Sequence, residues 1–382
     1  MRIVVAIDSF KGSLSSMKAG AAVKEAAQKI DKDTEVVVCP LADGGEGTVD
    51  ALYSGIGGQM VSVKVTGPRS KPVDAKYCIL PNNVAVVEMA AAAGITLIPR
   101  QDLNPLETTT YGVGEIIANA ISKGCREFIV GIGGSATNDG GVGMLSALGF
   151  GFFDKNGKPI EMGAKGLRNL AYMSVDNVLP QLKECTFKVA CDVTNPLCGK
   201  NGCSAVFGPQ KGATQEMVAD MDGWLRNYAL LAKSVSQRAD SEHPGAGAAG
   251  GLGFAFVSFL NATLESGIKI ILEETGLEEH IKTADIVITG EGKLDSQTAF
   301  GKAPIGVAKL AKKHNKTVIA FSGCVTADAE VCNEHGIDAF FPIVRGVTTI
   351  EEALDNNNAY HNLVATAYQV FRLLKINQLA AL

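Results

Sequence analysis

Short, unbroken runs of β-branched and apolar residues recur along the chain, and each stops at glycines or charged and polar residues. Arg2 to Ile7 leads into Asp8-Ser9-Phe-Lys11-Gly-Ser13, and Thr34 to Cys39 into Pro40-Leu-Ala-Asp43-Gly-Gly-Glu46-Gly-Thr48. Asp285 to Ile288 leads into Thr289-Gly290-Glu291-Gly292-Lys293-Leu-Asp295, Thr317 to Phe321 into Ser322-Gly323, and Ala339 to Ile343 reaches Arg345-Gly346. Runs of this kind predict strands buried on both faces, as in a parallel sheet. Between them the apolar spacing turns helical. One amphipathic helix reaches about Ile30, with Ser13, Ser15 or Ser16 able to cap it, and another begins over Val49 to Tyr53. A third covers Pro304 to His314, with Ile305, Val307, Ala308, Leu310 and Ala311 on one side. Five strands alternating with helices predict a doubly wound, flavodoxin-like α/β sheet, which binds ligands outside the carboxyl ends of its strands.

The first two of these strands are separated from the last three by more than two hundred residues, and no loop is that long. An inserted domain is therefore expected over residues 61–284, with residues 1–60 and 285–382 forming the interrupted one. The texture changes at Val61. Val61-Ser-Val-Lys-Val-Thr alternates with period two, and Val73 to Leu80 and Val84 to Glu88 follow across turn residues, which predicts antiparallel strands. A helix near Thr108 to Ser122, strands at Glu127 to Val130 and Phe187 to Cys191, and helices from Gly140 and within Gln215 to Ser234 and Leu252 to Asn261 complete the α/β insert.

Composition narrows the partners. A chain of 382 residues with a formal charge of −5 and no Lys/Arg cluster does not read as a binder of nucleic acid or of a membrane surface, so the partner is a small molecule. Nine cysteines without CxxC spacing suit a reducing, cytoplasmic setting rather than a disulfide framework, and Cys198 and Cys203 have no neighbouring histidine to complete a zinc site. The N-terminal stretch, with a single Arg2 and an apolar run only from Ile3 to Ile7, does not read as a signal peptide, and no run approaches the roughly 20 apolar residues that span a bilayer. A monomer or a homodimer is expected.

Three further stretches carry candidate chemistry. Gly131-Ile-Gly133-Gly134-Ser135-Ala-Thr137-Asn138-Asp139-Gly140-Gly141 follows a strand and opens a helix, so its backbone N–H groups and the helix dipole are expected to hold a phosphate at Gly133, Gly134 and Ser135. Cys191-Asp192 again ends a strand with a carboxylate, followed by Lys200 and Lys211. Gly245-Ala-Gly247-Ala-Ala-Gly250 matches GxGxxG, yet Ser241-Glu-His-Pro244 stands where a strand should precede it, so it reads as a Gly/Ala segment opening a helix. No GxxxxGK[ST] loop occurs, and the five histidines form no triad with a Ser or Cys. What remains is carboxylates, lysines and Gly-rich turns. These are the parts of phosphoryl transfer: turns and cations for phosphates, carboxylates for Mg²⁺, and one carboxylate for a hydroxyl proton.

Seven motifs in order, Asp8-Ser-Phe-Lys-Gly-Ser, Leu41-Ala-Asp-Gly-Gly-Glu-Gly-Thr, Glu88-Met-Ala, Gly133-Gly-Ser-Ala-Thr-Asn-Asp-Gly-Gly, Cys191-Asp-Val-Thr-Asn-Pro, Gly245-Ala-Gly-Ala-Ala-Gly-Gly and Thr289-Gly-Glu-Gly-Lys-Leu-Asp, resemble those of the bacterial class I glycerate kinases. The resemblance runs from the first strand to about Ile343. It implies transfer of the γ-phosphoryl of ATP, with Mg²⁺, to D-glycerate, usually at the 2-hydroxyl, with 3-phosphoglycerate as the other product. It also implies that the inserted domain resembles restriction endonucleases in shape. With this substrate, Lys11 is expected to hold the carboxylate beside Asp8, Ser9 and Asp43. Asp192, or else Asp43, is expected to be the general base. Glu291 or Asp295 serves the metal, and Gly290, Gly292 and Lys293 join the phosphate site. A non-enzymatic sensor of sugar acids is the competing reading, but it would not need a phosphate cradle and several carboxylates together.

Overall fold

The computed structural model describes residues 1–42 and 44–380; Asp43 lies outside the described residues. Thirteen strands occur among them: β1 (Arg2–Ile7), β2 (Glu35–Val38), β3 (Gln59–Thr66), β4 (Pro72–Ile79), β5 (Val84–Glu88), β6 (Glu127–Gly131), β7 (Gly151–Phe153), β8 (Tyr172–Ser174), β9 (Thr186–Ala190), β10 (Ala262–Glu265), β11 (Ile286–Leu294), β12 (Thr317–Val325) and β13 (Ala339–Pro342). The chain forms two compact units, one made of Met1–Asp43, Asp50–Ile56 and Ile268–Leu382, the other of Gly44–Val49 and Gly57–Gly267. No helix among the described residues is long and apolar enough to cross a membrane.

The first unit is built on a five-stranded sheet in the order β13-β12-β11-β1-β2, parallel throughout. Numbered within this sheet the order is 2-1-3-4-5, the doubly wound order expected, with one reversal beside β1. Ile3, Val5 and Ile7 of β1 pack in one core cluster with Ala19, Val23 and Ala26 of the helix Ser16–Ile30 and with Leu363, Ala367 and Phe371 of the helix Asn356–Ala380. Val4 and Ala6, equally buried, belong to the opposite face by the period of two. The helix Ala303–Lys313 packs against β11, β12 and β1. Ser15 caps the helix Ser16–Ile30 by accepting from the Lys18 N–H. Ser16 then ties two strand ends together: its hydroxyl donates to Ile7 O at 2.5 Å and accepts from Leu41 N at 2.8 Å.

β11 differs from expectation. It does not stop at a turn after Ile288 but continues to Leu294, paired in one register with β12 at every residue but Gly292, from Ile286 on Thr317 to Leu294 on Val325. Gly290 makes this possible, since a Cβ there would run into the carbonyl oxygen of Phe321. The residues Thr289 to Leu294 are thus extended backbone rather than a loop. Residues 268–284, placed with the insert on sequence grounds, fall in the first unit, where Ile268 sits against Gly306, while Gly44–Val49 and residues 57–60, placed with the interrupted domain, fall in the second.

The second unit carries a mixed six-stranded sheet in the order β10-β9-β6-β5-β4-β3. β3, β4 and β5 pair antiparallel, as their alternating pattern predicts. β5, β6, β9 and β10 run parallel, so the βα texture resumes inside this unit. β7 and β8 form a separate antiparallel pair. Phe128 stacks on Phe187 at 4.7 Å between ring centroids, and Phe254 meets the buried Tyr228 edge-on at 5.3 Å, placing the aromatic core beside the parallel strands.

Candidate active site

In the first unit the carboxyl ends of β1 and β11 bring one group of predicted residues together. Asp8, only 5% exposed, follows β1 directly; its N–H donates to Gly290 O at 2.9 Å, and its carboxylate accepts from Ser9 N at 2.7 Å. The next turn closes with Phe10 N donating to Leu14 O, and Gly12 at φ +81 leaves Lys11 exposed at the apex. On β11, Glu291 accepts from the Thr298 hydroxyl at 2.5 Å. Asp295, 8% exposed, caps the short turn Ser296–Phe300 by accepting from Thr298 N, and Thr298 Oγ1 in turn accepts from Asp295 N.

Lysines clamp this carboxylate pair. Lys302 lies 3.8 Å from Glu291 and 3.6 Å from Asp295, and Lys293 lies 3.1 Å from Asp295. The two acids respond in opposite senses. Burial pushes Glu291 up, against the pull of Thr298, Lys302 and Lys11. Burial also acts on Asp295, but Lys293 and Lys302 outweigh it and hold that carboxyl below its ordinary value. No group of three or more His, Cys, Asp or Glu side chains that could hold a metal occurs among the described residues. Mg²⁺ does not require one, because it keeps several waters and is commonly held by one or two carboxylates together with substrate phosphates. The hard oxygens of Glu291 and Asp295 fit that demand.

In the second unit the Gly-rich turn follows β6. Among the described residues the N–H groups of Gly133 and Gly134 donate to no backbone oxygen, as an anion cradle requires. The expected helix dipole is absent from the site. The helix spans only Val142–Ala147, and Asp139 occupies its entrance, accepting from Gly141 N at 3.1 Å and Gly143 N at 3.3 Å. Asp139 is 1% exposed and also accepts from the backbone and hydroxyl of Thr110, at 2.8 and 2.9 Å. Burial pushes its pKa up and these donors pull it down. It is a structural hub, not a free carboxylate.

The Gly245 to Gly251 segment braces the same turn. Ala249, Gly250 and Gly251 are all left-handed, Gly140 N donates to Gly250 O at 2.9 Å, and a Cβ on Gly250 would strike Thr137 O. No strand precedes it, so the GxGxxG match is scaffold. Asp192 stands two residues beyond β9 and accepts from Gly267 N at 3.1 Å. Lys211, which follows Asp192 in sequence, sends both of its described hydrogen bonds into the Gly-rich turn, to Ser135 Oγ at 2.8 Å and Thr137 O at 2.6 Å. Thr298, Lys302, Thr110 and the placement of Lys211 escaped the sequence reading. A signal was present for Lys302, one residue past Gly301 and just before a Pro-started helix, and for Thr108-Thr109-Thr110, three polar residues ahead of an apolar helix.

A Gly-rich turn with open amides, a clamped carboxylate pair and a strand-end Asp are compatible with a phosphotransferase without a P-loop. A family model described as the glycerate kinase family matches residues 3–375. The chain is 45% identical to the glycerate 2-kinase of Escherichia coli K12 over 377 residues, covering 98% of each, and 44% identical to a glycerate kinase of Haemophilus influenzae over 375 residues, covering 98% of this chain and 99% of that one. A crystal structure from Salmonella typhimurium LT2, of a protein provisionally named glycerate kinase 2, superposes with a TM-score of 0.90 at 45% identity, over 99% of each chain. The chain belongs to the glycerate kinase family and is an enzyme of the kinase class.

Asp139→Ala strands the donors of Thr110, Gly141 and Gly143 in a buried site. It should lower unfolding free energy by roughly 3 kcal/mol or more, read from the denaturant midpoint, with Asp139→Asn losing clearly less. Equal stability of Asp139→Ala and wild type would contradict the hub assignment.

Proposed function

We propose that this enzyme transfers the γ-phosphoryl group of ATP to the 2-hydroxyl of D-glycerate, releasing ADP and 2-phosphoglycerate. The observation that carries the reading is the pair Glu291 and Asp295, clamped by Lys293 and Lys302 at the carboxyl end of β11, in a chain of this family. The name of the Escherichia coli relative favours the 2-hydroxyl over the 3-hydroxyl. The nine free thiols suit a cytoplasmic enzyme.

Each residue then has a task. In the second unit Gly133, Gly134 and Ser135 hold nucleotide phosphate; in the first, Gly290, Gly292 and Lys293 of β11 are the phosphate-binding candidates. Glu291 and Asp295 hold Mg²⁺, which supplies charge neutralisation to the phosphates when bound. Lys11, with Asp8, Ser9 and Asp43 near the same strand ends in sequence, binds and orients glycerate through its carboxylate. The hydroxyl oxygen attacks the γ-phosphorus, the bond to the ADP oxygen breaks, and the hydroxyl proton passes to the carboxylate of Asp192. A sugar-acid sensor would bind glycerate without turning over ATP.

ADP release should therefore depend on added D-glycerate; ATP turnover that ignores glycerate would overturn the assignment. Asp192→Asn should retain both substrates and lose on the order of a hundred- to ten-thousand-fold in kcat, without recovery at high Mg²⁺. Near-normal kcat, or rescue by Mg²⁺, would pass the base role to Asp43. Lys11→Ala should raise KM for glycerate by about tenfold or more and leave KM for ATP within about twofold. An equal rise in both would refute the carboxylate role.

A further inference from the structure

Lys211 is only 1% exposed, and among the described residues its ammonium meets no carboxylate within ion-pair distance. Lysines are rarely buried so completely unless paired, because a charge taken out of water without a counter-ion is costly. Its hydrogen bonds to Ser135 Oγ and Thr137 O leave one of three donors unassigned. Burial lowers its pKa to about 8, with Cys203 and Asp139 acting the other way. Neutral dipoles are also close by: Asn138 donates to Ser204 Oγ at 2.8 Å, and among the described residues Thr137 Oγ1 and Asn138 Oδ1 are buried without a partner. The molecule holds a cation in place behind a Gly-rich turn whose helix dipole Asp139 has already consumed.

Ser135 connects that cation to the turn's outer side. Its oxygen accepts a hydrogen bond from Lys211, so its own hydroxyl hydrogen is donated elsewhere. Such a serine presents a donor and selects an acceptor-only ligand such as a phosphate oxygen. We propose that Lys211 is a positioning residue for nucleotide phosphate: it supplies the positive charge behind Gly133 to Ser135 and fixes Ser135 as a donor to the phosphate. The bound phosphate is then the counter-ion that Lys211 lacks within the protein. This rests on the reading that the Gly-rich turn binds the phosphates of ATP.

Equilibrium binding of ATP and of D-glycerate, measured separately by titration calorimetry, tests it on Lys211→Met, Ser135→Ala, the double variant and Ser135→Asp. Lys211→Met and Ser135→Ala should each raise Kd for ATP by about tenfold or more and leave Kd for D-glycerate within about twofold. The double variant should bind ATP no worse than Lys211→Met alone, since the two act as one unit. Ser135→Asp should pair its carboxylate with Lys211, keep the melting temperature and abolish ATP binding. If Lys211→Met weakens ATP and glycerate equally, or Ser135→Ala binds ATP like wild type, the positioning role is wrong; should Lys211→Met fail to fold, Ser135→Ala decides alone. If Ser135→Asp loses ATP while Lys211→Met and Ser135→Ala keep it, the phosphate site stands and the role of Lys211 falls. If Ser135→Asp binds ATP normally, phosphate does not lie at this turn and both readings fall.

Discussion

A parallel strand can deliver its carboxyl end only to the edge where its neighbours deliver theirs, and the chemistry of this chain depends on that constraint. In the first unit β1 and β11 are adjacent and parallel, so Asp8 and Lys11 arrive beside Glu291, whose ionisation responds to Lys11. In the second unit β6 and β9 are adjacent and parallel, so the Gly-rich turn and Asp192 leave the sheet from one edge. Residues nearly three hundred positions apart become neighbours through backbone pairing alone. The extension of β11 to Leu294 carries Glu291 and Lys293 beyond the apolar part of the strand while keeping their backbone rigid.

The two units handle charge differently. At β11 opposite charges lie within 4 Å of one another, partly open to water, so each lysine can exchange a carboxylate for a phosphate and each carboxylate a lysine for a cation. Around the Gly-rich turn a carboxyl group and an amine are both fully buried, and among the described residues neither forms an ion pair. Asp139 is held by amide and hydroxyl donors, Lys211 by a hydroxyl and a carbonyl. Fixed dipoles of this kind cost no reorganisation when a charged ligand arrives.

Much of this was legible in the chain. The five strands, their carboxyl-end acids and the interruption follow from apolar runs punctuated by Asp and Gly, because burial on both faces and tight turns leave strong local marks. The continuation of β11 through Gly290 and Gly292 was not legible, since glycine next to charge reads as a turn until the close approach of Phe321 is known. The helix Asn356–Ala380 escaped notice although Leu363, Val364, Ala367, Val370 and Phe371 repeat at helical spacing. Lys211 sits between Gln210 and Gly212 in what looks like a surface turn, and nothing local distinguishes it from a solvated lysine. Its burial and its bonds to Ser135 and Thr137, some seventy residues away, are tertiary facts. The same holds for Asp139, whose partners at Thr110 lie about thirty residues upstream.

The proposed reaction moves a phosphoryl group from ATP to one specific hydroxyl of D-glycerate. Phosphorus NMR of the reaction with ATP, Mg²⁺ and D-glycerate follows the γ-phosphorus directly, and proton coupling reports the carbon that receives it. The account predicts ADP and a single phosphomonoester coupled to one proton, the C2 methine of 2-phosphoglycerate. A phosphomonoester coupled to the two C3 protons would contradict the 2-hydroxyl assignment, and release of inorganic phosphate without any phosphoglycerate would contradict glycerate phosphorylation itself.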